Sequence, residues 1–182
     1  MSSDLSPFRI EILDANNNPI SGGSIATVMN ITDTRSLDNI GRLSFTMPAG
    51  DRKAQYIQTG SKFDVFADGK YLGRYLFKSK TITDDNGVGI LVVDCYDALK
   101  ILTERTVGFN RSYNFESVSV IIGELLDIVG FSSNVTETGT SLISYQGESV
   151  LRAIDELRDR RGVHYRLDFD ENTAVPILEF GP

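Results

Sequence analysis

The chain has 182 residues, a hydrophobic share of 41% and a formal charge of -7 at neutral pH, so it can bury a real core as one large or two small domains. The acidic balance excludes a nucleic-acid clamp, which depends on clustered Lys and Arg that neutralise phosphate charge. One cysteine, Cys95, excludes an internal disulfide framework, and no apolar run is long enough to cross a bilayer.

The start (MSSDLSPFRI) lacks the charged and hydrophobic regions of a signal peptide, so the Asn-x-Ser/Thr matches at Asn30, Asn110 and Asn134 are read as chance. Phe8, Ile10 and Ile12 then alternate with Arg9 and Glu11, the period of a half-buried strand, and Asn16-Asn17-Asn18-Pro19 turns the chain. A second strand is expected within Ser24 to Thr34. Leu43, Phe45 and Met47 repeat the alternation in a third, which Pro48 and Gly50 stop. Asp51 to Gly60 reads as a loop or short helical turn.

The stretch from Lys62 to Leu102 is the one around which the rest is arranged. Asp68-Gly69 and Asn86-Gly87 supply the positive-φ positions of tight hairpins and separate three strands. Phe63 and Val65 mark the first, Tyr71, Tyr75 and Phe77 the second, and Val88 to Val93 are apolar enough for a strand covered on both faces. Asp94 reads as the N-cap of a helix carrying Leu99 and Leu102, with Asp97 in its first turn.

The pattern changes after about Arg105. Asn114 to Ser117 offer cap residues, and Val118, Ile121, Ile122, Leu125 and Val129 fall on one helical face before Gly130. Ser132 to Ser141 reads as a polar connector. Gly147-Glu148-Ser149 opens a second helix with Val150, Leu151, Ile154 and Leu157 as its apolar stripe, closed by Gly162. Val163, Tyr165 and Leu167 alternate with His164, Arg166 and Asp168, and Asp170 to Asn172 turn the chain into a last strand around Ile177 to Phe180. The expected fold is α+β: an antiparallel β-barrel-like domain over residues 1–105, then a smaller α/β lobe over residues 106–182, two helices on a β-hairpin.

No reactive constellation emerges, and no catalytic, cofactor-binding or metal residue is assigned. The single imidazole, His164, sits in a strand pattern, and one His with one distant Cys cannot make a closed zinc set. Gly22-Gly23 and Gly87-Val88-Gly89 lack the sequel of a phosphate loop. Asp155, Glu156 and Asp159 interleave with Arg152, Arg158 and Arg160 as a charge-paired helix face, and Arg158 to Arg161 suits a helix C-terminus. Asp168, Asp170, Asn172 and Glu179 have the spacing of a calcium loop, but Thr173 stands where that loop needs glycine, so a plain hairpin turn is expected.

The order of features carries more than any single motif: Gly41 to Pro48 (GRLSFTMP), Thr59 to Ile82 (TGSKFDVFADGKYLGRYLFKSKTI), Val92 to Val107 (VVDCYDALKILTERTV), a helix, then Gly147 to Phe169 (GESVLRAIDELRDRRGVHYRLDF). In this order the chain resembles the hub proteins of bacteriophage tails and baseplates, with the related prophage hubs and the N-terminal region of type VI secretion spike proteins. In that family a Gly-Glu-Ser-x-Leu-x-x-Ile helix begins the α/β lobe. Family hubs continue to a second barrel, so the resemblance implies a fragment of a longer hub protein.

It further implies a structural tail component without catalysis, a homotrimer of tandem barrels at the tail tip. Its partners would be the tube, distal tail and tape-measure proteins, with DNA passing through an acidic lumen without specific binding. Assembly would occur in the bacterial cytoplasm, without membrane insertion, for the virion tail. Two alternatives stand beside it. One is the N-terminal hub region of a tail-associated lysin whose catalytic domain lies downstream. The other is a carbohydrate or host-receptor module using Tyr71, Tyr75, Tyr113 and Tyr145.

Overall fold

The computed structural model describes residues 8–20, 23–170 and 173–182, and the chain divides into two units. The first runs to Arg35 and resumes over Gly41–Asp97; the second takes Ser36–Ile40 and Ala98–Pro182. The second unit thus starts before the composition change near Arg105, and it includes the connection between two strands of the first.

In the first unit one antiparallel sheet contains β1 (Phe8–Leu13), β2 (Asn30–Thr34), β3 (Arg42–Pro48), β4 (Lys62–Ala67), β5 (Lys70–Asp85) and β6 (Val88–Asp97), in the order β1-β4-β5-β6-β3-β2. Two hairpin turns shape its centre. Asp68 and Gly69 both have positive φ, as do Asn86 and Gly87, so the twist of each turn matches that of its strands. One face gathers the core: Ile10, Ile12, Leu43, Phe45, Met47, Phe63, Val65, Tyr75, Leu91, Val93 and Cys95, with Ile25, Val28 and Ile57 from the connections. Phe45 and Phe63 meet edge to face at 5.4 Å.

The closed barrel expected from the strand spacing does not form among the described residues. β1 and β2 are the outer strands of the order, and no ladder joins them. One stretch of chain serves both instead: Ile25 N–H donates to Ile10 C=O, and Met29 N–H donates to Thr46 C=O beside β2. Arg35, just past β2, donates to the Leu72 carbonyl and the Tyr75 hydroxyl of β5. The sheet is therefore curled, with its seam bridged by chain and side chain.

Two finer expectations also change. β6 is not covered on both faces: Leu91, Val93, Cys95 and Asp97 are buried, while Ile90, Val92, Asp94 and Tyr96 are half-buried and Val88 is exposed. Asp94 is a strand residue accepting from the Ser79 hydroxyl, because β6 runs on to Asp97 and the short helix α1 (Leu99–Leu102) starts after Ala98. Between β3 and β4 a 3-10 turn, Arg52–Tyr56, is capped by the Asp51 carboxylate, which accepts from Lys53 N–H at 2.7 Å.

The second unit contains α1, β7 (Phe109–Ser117), α2 (Val118–Asp127), β8 (Ser132–Val135), β9 (Thr140–Gln146), α3 (Val150–Arg161), β10 (His164–Phe169) and β11 (Pro176–Gly181). β10, β11 and β8 form one sheet, with β8 parallel to β11, and β7 pairs with β9 in another. Both long helices start on a serine cap. Ser117 accepts from Val120 N–H and Ser149 from Arg152 N–H, and Gly162 ends α3 in the left-handed conformation at φ 65°. α2 packs against α3, and Ile121, Ile122, Leu125, Ile143, Tyr145, Ile154, Leu157 and Phe180 lie in this unit's buried interior. The unit is α+β as expected, but richer in strand than two helices and a hairpin.

Candidate functional site

His164 opens β10 with its side chain largely exposed, and its Nδ1 lies 2.5 Å from Asp38 Oδ2. Asp38, in the left-handed region at φ 59°, also accepts from Tyr165 N–H and donates its own N–H to Tyr165 C=O. Burial works against its ionisation, yet the His164 and Tyr165 hydrogen bonds and the charges of His164 and Arg158 hold its carboxyl below the usual range. A His–Asp pair is the second half of a catalytic triad. Among the described residues no hydroxyl or thiol is hydrogen-bonded to this imidazole, so no activated nucleophile is assembled.

The other sequence candidates are each engaged elsewhere. Cys95 is in the first unit's core, where burial pushes its thiol far up. On α3, Asp155 and Asp159 pair with Arg158 at 2.9 and 2.7 Å, and Glu156 with Arg160 at 2.7 Å. Arg161 reaches Glu137. Of the calcium-like set, Asn172 lies outside the described residues. Asp168 accepts from Phe169 N–H, Asp170 from Thr173 N–H, and Glu179 pairs across the strands with Arg166. Among the described residues no cluster of His, Cys, Asp or Glu is arranged to hold a metal ion.

A groove of about 500 Å3 runs over the second unit's three-stranded sheet, lined by Asn134, Thr136, His164, Arg166, Glu179 and Gly181 among others. Its charged groups already pair, Arg166 with Glu179 and His164 with Asp38. In the first unit the main polar cluster is Asp64, whose two oxygens accept from Arg74 Nε and a terminal nitrogen at 2.8 Å each, and from the Tyr71 hydroxyl at 3.1 Å. That geometry is a fork holding β4 to β5.

The four tyrosines considered for stacking a sugar are unsuited to it. Tyr75, Tyr113 and Tyr145 are buried, and Tyr71 is half-buried with its hydroxyl on Asp64. Burial pushes all four phenols up, Tyr113 to about 12 with help from its bond to Glu124. Among the described residues the aromatics most open to solvent are Phe109 at 82% and Phe115 at 69% exposure, with Tyr56 well behind them. Sequence reasoning missed them because β7 carries two register shifts, at Asn110 and near Phe115, both with positive φ, and these break the alternation that reveals a strand.

Charge is divided unevenly. The first unit holds ten Lys and Arg against eleven Asp and Glu, the second eight against fourteen. The acidic excess belongs to the helical unit, while the curled sheet is near neutral.

No protein-family model and no curated protein matches the sequence. Solved structures do match in fold. The 43 kDa tail protein of prophage MuSo2 from Shewanella oneidensis superposes with a TM-score of 0.68 and 18% identity, over 94% of this chain and 55% of that one. A tail protein from Neisseria meningitidis MC58 gives 0.65 and 14%, over 94% and 50%. An Escherichia coli component of the type VI secretion system, itself described as similar to the T4 bacteriophage tail proteins gp27 and gp5, gives 0.54 and 15%, over 84% and 47%. The chain therefore has the fold of phage and prophage tail proteins, shared with a type VI secretion component, and spans about half the length of these neighbours.

Proposed function

We propose that this chain is a structural part of a phage or prophage tail, contributing to a trimeric hub ring at the tail tip or baseplate and catalysing nothing itself. The carrying observation is the fold match to two tail proteins, one of them from a prophage, over 94% of the chain. The paired state of the ionisable clusters supports a scaffold role. Its partners in this reading are neighbouring tube, distal tail and tape-measure proteins, and DNA passes along the ring without being gripped. The near-neutral charge of the curled sheet modifies the basis of that passage: if the sheet lines the channel, the absence of a strongly basic wall lets DNA slide, with no acidic repulsion needed.

Interrupting the coding sequence in the phage or prophage that carries it tests the role. The expected result is particles with no assembled tail, restored by the expressed chain in its full gene product. Normal, infectious tails from the interrupted gene would refute it.

A further inference from the structure

Two hairpins of the first unit turn on two residues each, Asp68-Gly69 between β4 and β5 and Asn86-Gly87 between β5 and β6. Their backbones agree closely, with φ of 49° and 79° in the first and 55° and 84° in the second. The difference is chemical. An aspartate carboxylate is a poor electrophile, whereas asparagine is thermolabile because the nitrogen of the next residue can attack its carboxamide. Asn86-Gly87 is the one Asn-Gly pair in the sequence; every other asparagine precedes a residue whose side chain crowds the attacking nitrogen.

The site is open to water. Every residue from Lys80 to Gly89 is exposed, and a Cβ built on Gly87 would meet nothing within 4 Å. From Ser79 onward β5 pairs with β6 alone, so the end of this ribbon opens without disturbing the core. While the turn is closed, two carboxylates hold the reacting groups. Asp84 Oδ1 accepts from Gly87 N–H at 2.7 Å, and Asp85 Oδ1 accepts from Asn86 Nδ2 at 3.1 Å. A negative group that accepts from an N–H makes its proton harder to remove, and the Gly87 nitrogen must lose that proton before it attacks.

We propose that Asn86 is a site of spontaneous deamidation, latched by Asp84 and released when the hairpin end opens. Hydroxide takes the Gly87 amide proton, and the nitrogen lone pair forms a bond to Asn86 Cγ. The Cγ–Nδ2 bond breaks, and ammonia leaves with a proton drawn from water, which regenerates hydroxide and closes a succinimide. Water then adds to one of the two ring carbonyls and opens the ring to aspartate or isoaspartate. The two products differ in consequence. Aspartate restores the kind of turn that the chain already makes at Asp68-Gly69. Isoaspartate routes the main chain through the side-chain methylene, lengthening a two-residue loop whose flanking Asp85 and Val88 are directly paired, and so it unravels the hairpin end.

The test is peptide mapping of the full chain after warm incubation in mildly alkaline buffer. Asn86 is expected to gain one mass unit before any other asparagine does, at a rate that rises with pH, and part of the product is expected to be a substrate for an isoaspartate methyltransferase. Asp84→Ala, a change on an exposed side chain, is expected to react severalfold faster than the parent in the folded state and at about the same rate once both are unfolded in urea. The parent itself is expected to react faster in urea than folded. An Asn86 that stays intact while other asparagines react, or a chain in which none reacts, overturns the site. Equal rates for the folded parent and folded Asp84→Ala, or a parent that reacts no faster in urea, overturn the latch.

Discussion

Arg74 and Asp64 face each other directly across β4 and β5, and the Asp64 residue is only 8% exposed. Replacing Arg74 with Met leaves that carboxylate with the Tyr71 hydroxyl and the charge of Lys62, in a place where water reaches it poorly. We expect a loss of about 2 kcal/mol, the scale for stranding one partner of a half-buried charged pair, read by chemical denaturation; an unchanged midpoint would show the pair to be ornamental. Asp51 provides the pH dependence. The Thr27 hydroxyl at 2.5 Å and Lys53 N–H hold its carboxyl below the usual range. Its folded value is lower than its unfolded one, so its contribution is complete above the ordinary carboxylate value and disappears as pH falls through the depressed one. Between about pH 4 and pH 2 the parent should lose melting temperature more steeply than Asp51→Asn; parallel slopes would contradict the assignment. Neither interaction is legible in the sequence. Asp64 and Arg74 become opposite only through a hairpin register altered by a bulge at Val65/Phe66, and Thr27 and Asp51 are brought together by tertiary structure.

At the level of elements, legibility follows local signal. α2 and α3 were visible because serine caps, apolar stripes at helical spacing and closing glycines all agree, and the central meander because Asp68-Gly69 and Asn86-Gly87 fix its turns. β7 and β9 were not. β9 buries Ser141, Ile143 and Tyr145 on alternate positions, but two of its exposed positions are serine or threonine and a third is Leu142, so its start merges with the polar connector read over Ser132 to Ser141 and the rest gives no strand signal. β7 conceals itself through its bulges. Phe115 stands at φ 55° with its ring in solvent, a conformation that costs a bulky residue energy which its exposed ring does little to offset. Phe115→Gly is accordingly expected to stabilise the chain by about 1 kcal/mol, measured by thermal melting. Destabilisation of that size would mean that the ring carries contacts of its own.

Across the whole molecule, the order of strand and helix motifs led to the tail-protein fold, and the solved structures share it at 14–18% identity. The barrel expectation failed on a tertiary point: alternation tells which face of a strand is buried, but not whether the last strand finds the first. Net charge misled in the same way, because a chain total of -7 does not say that the acidic excess sits in the second unit. In the proposed function the chain sits at the tip or baseplate of a tail. Gold-labelled antibodies against the chain, viewed by electron microscopy on tailed particles released from cells that carry its gene, test this most directly. Gold clustered at the free end of the tail is the predicted result, and particles whose tail ends carry no label while heads or tail shafts do would contradict it.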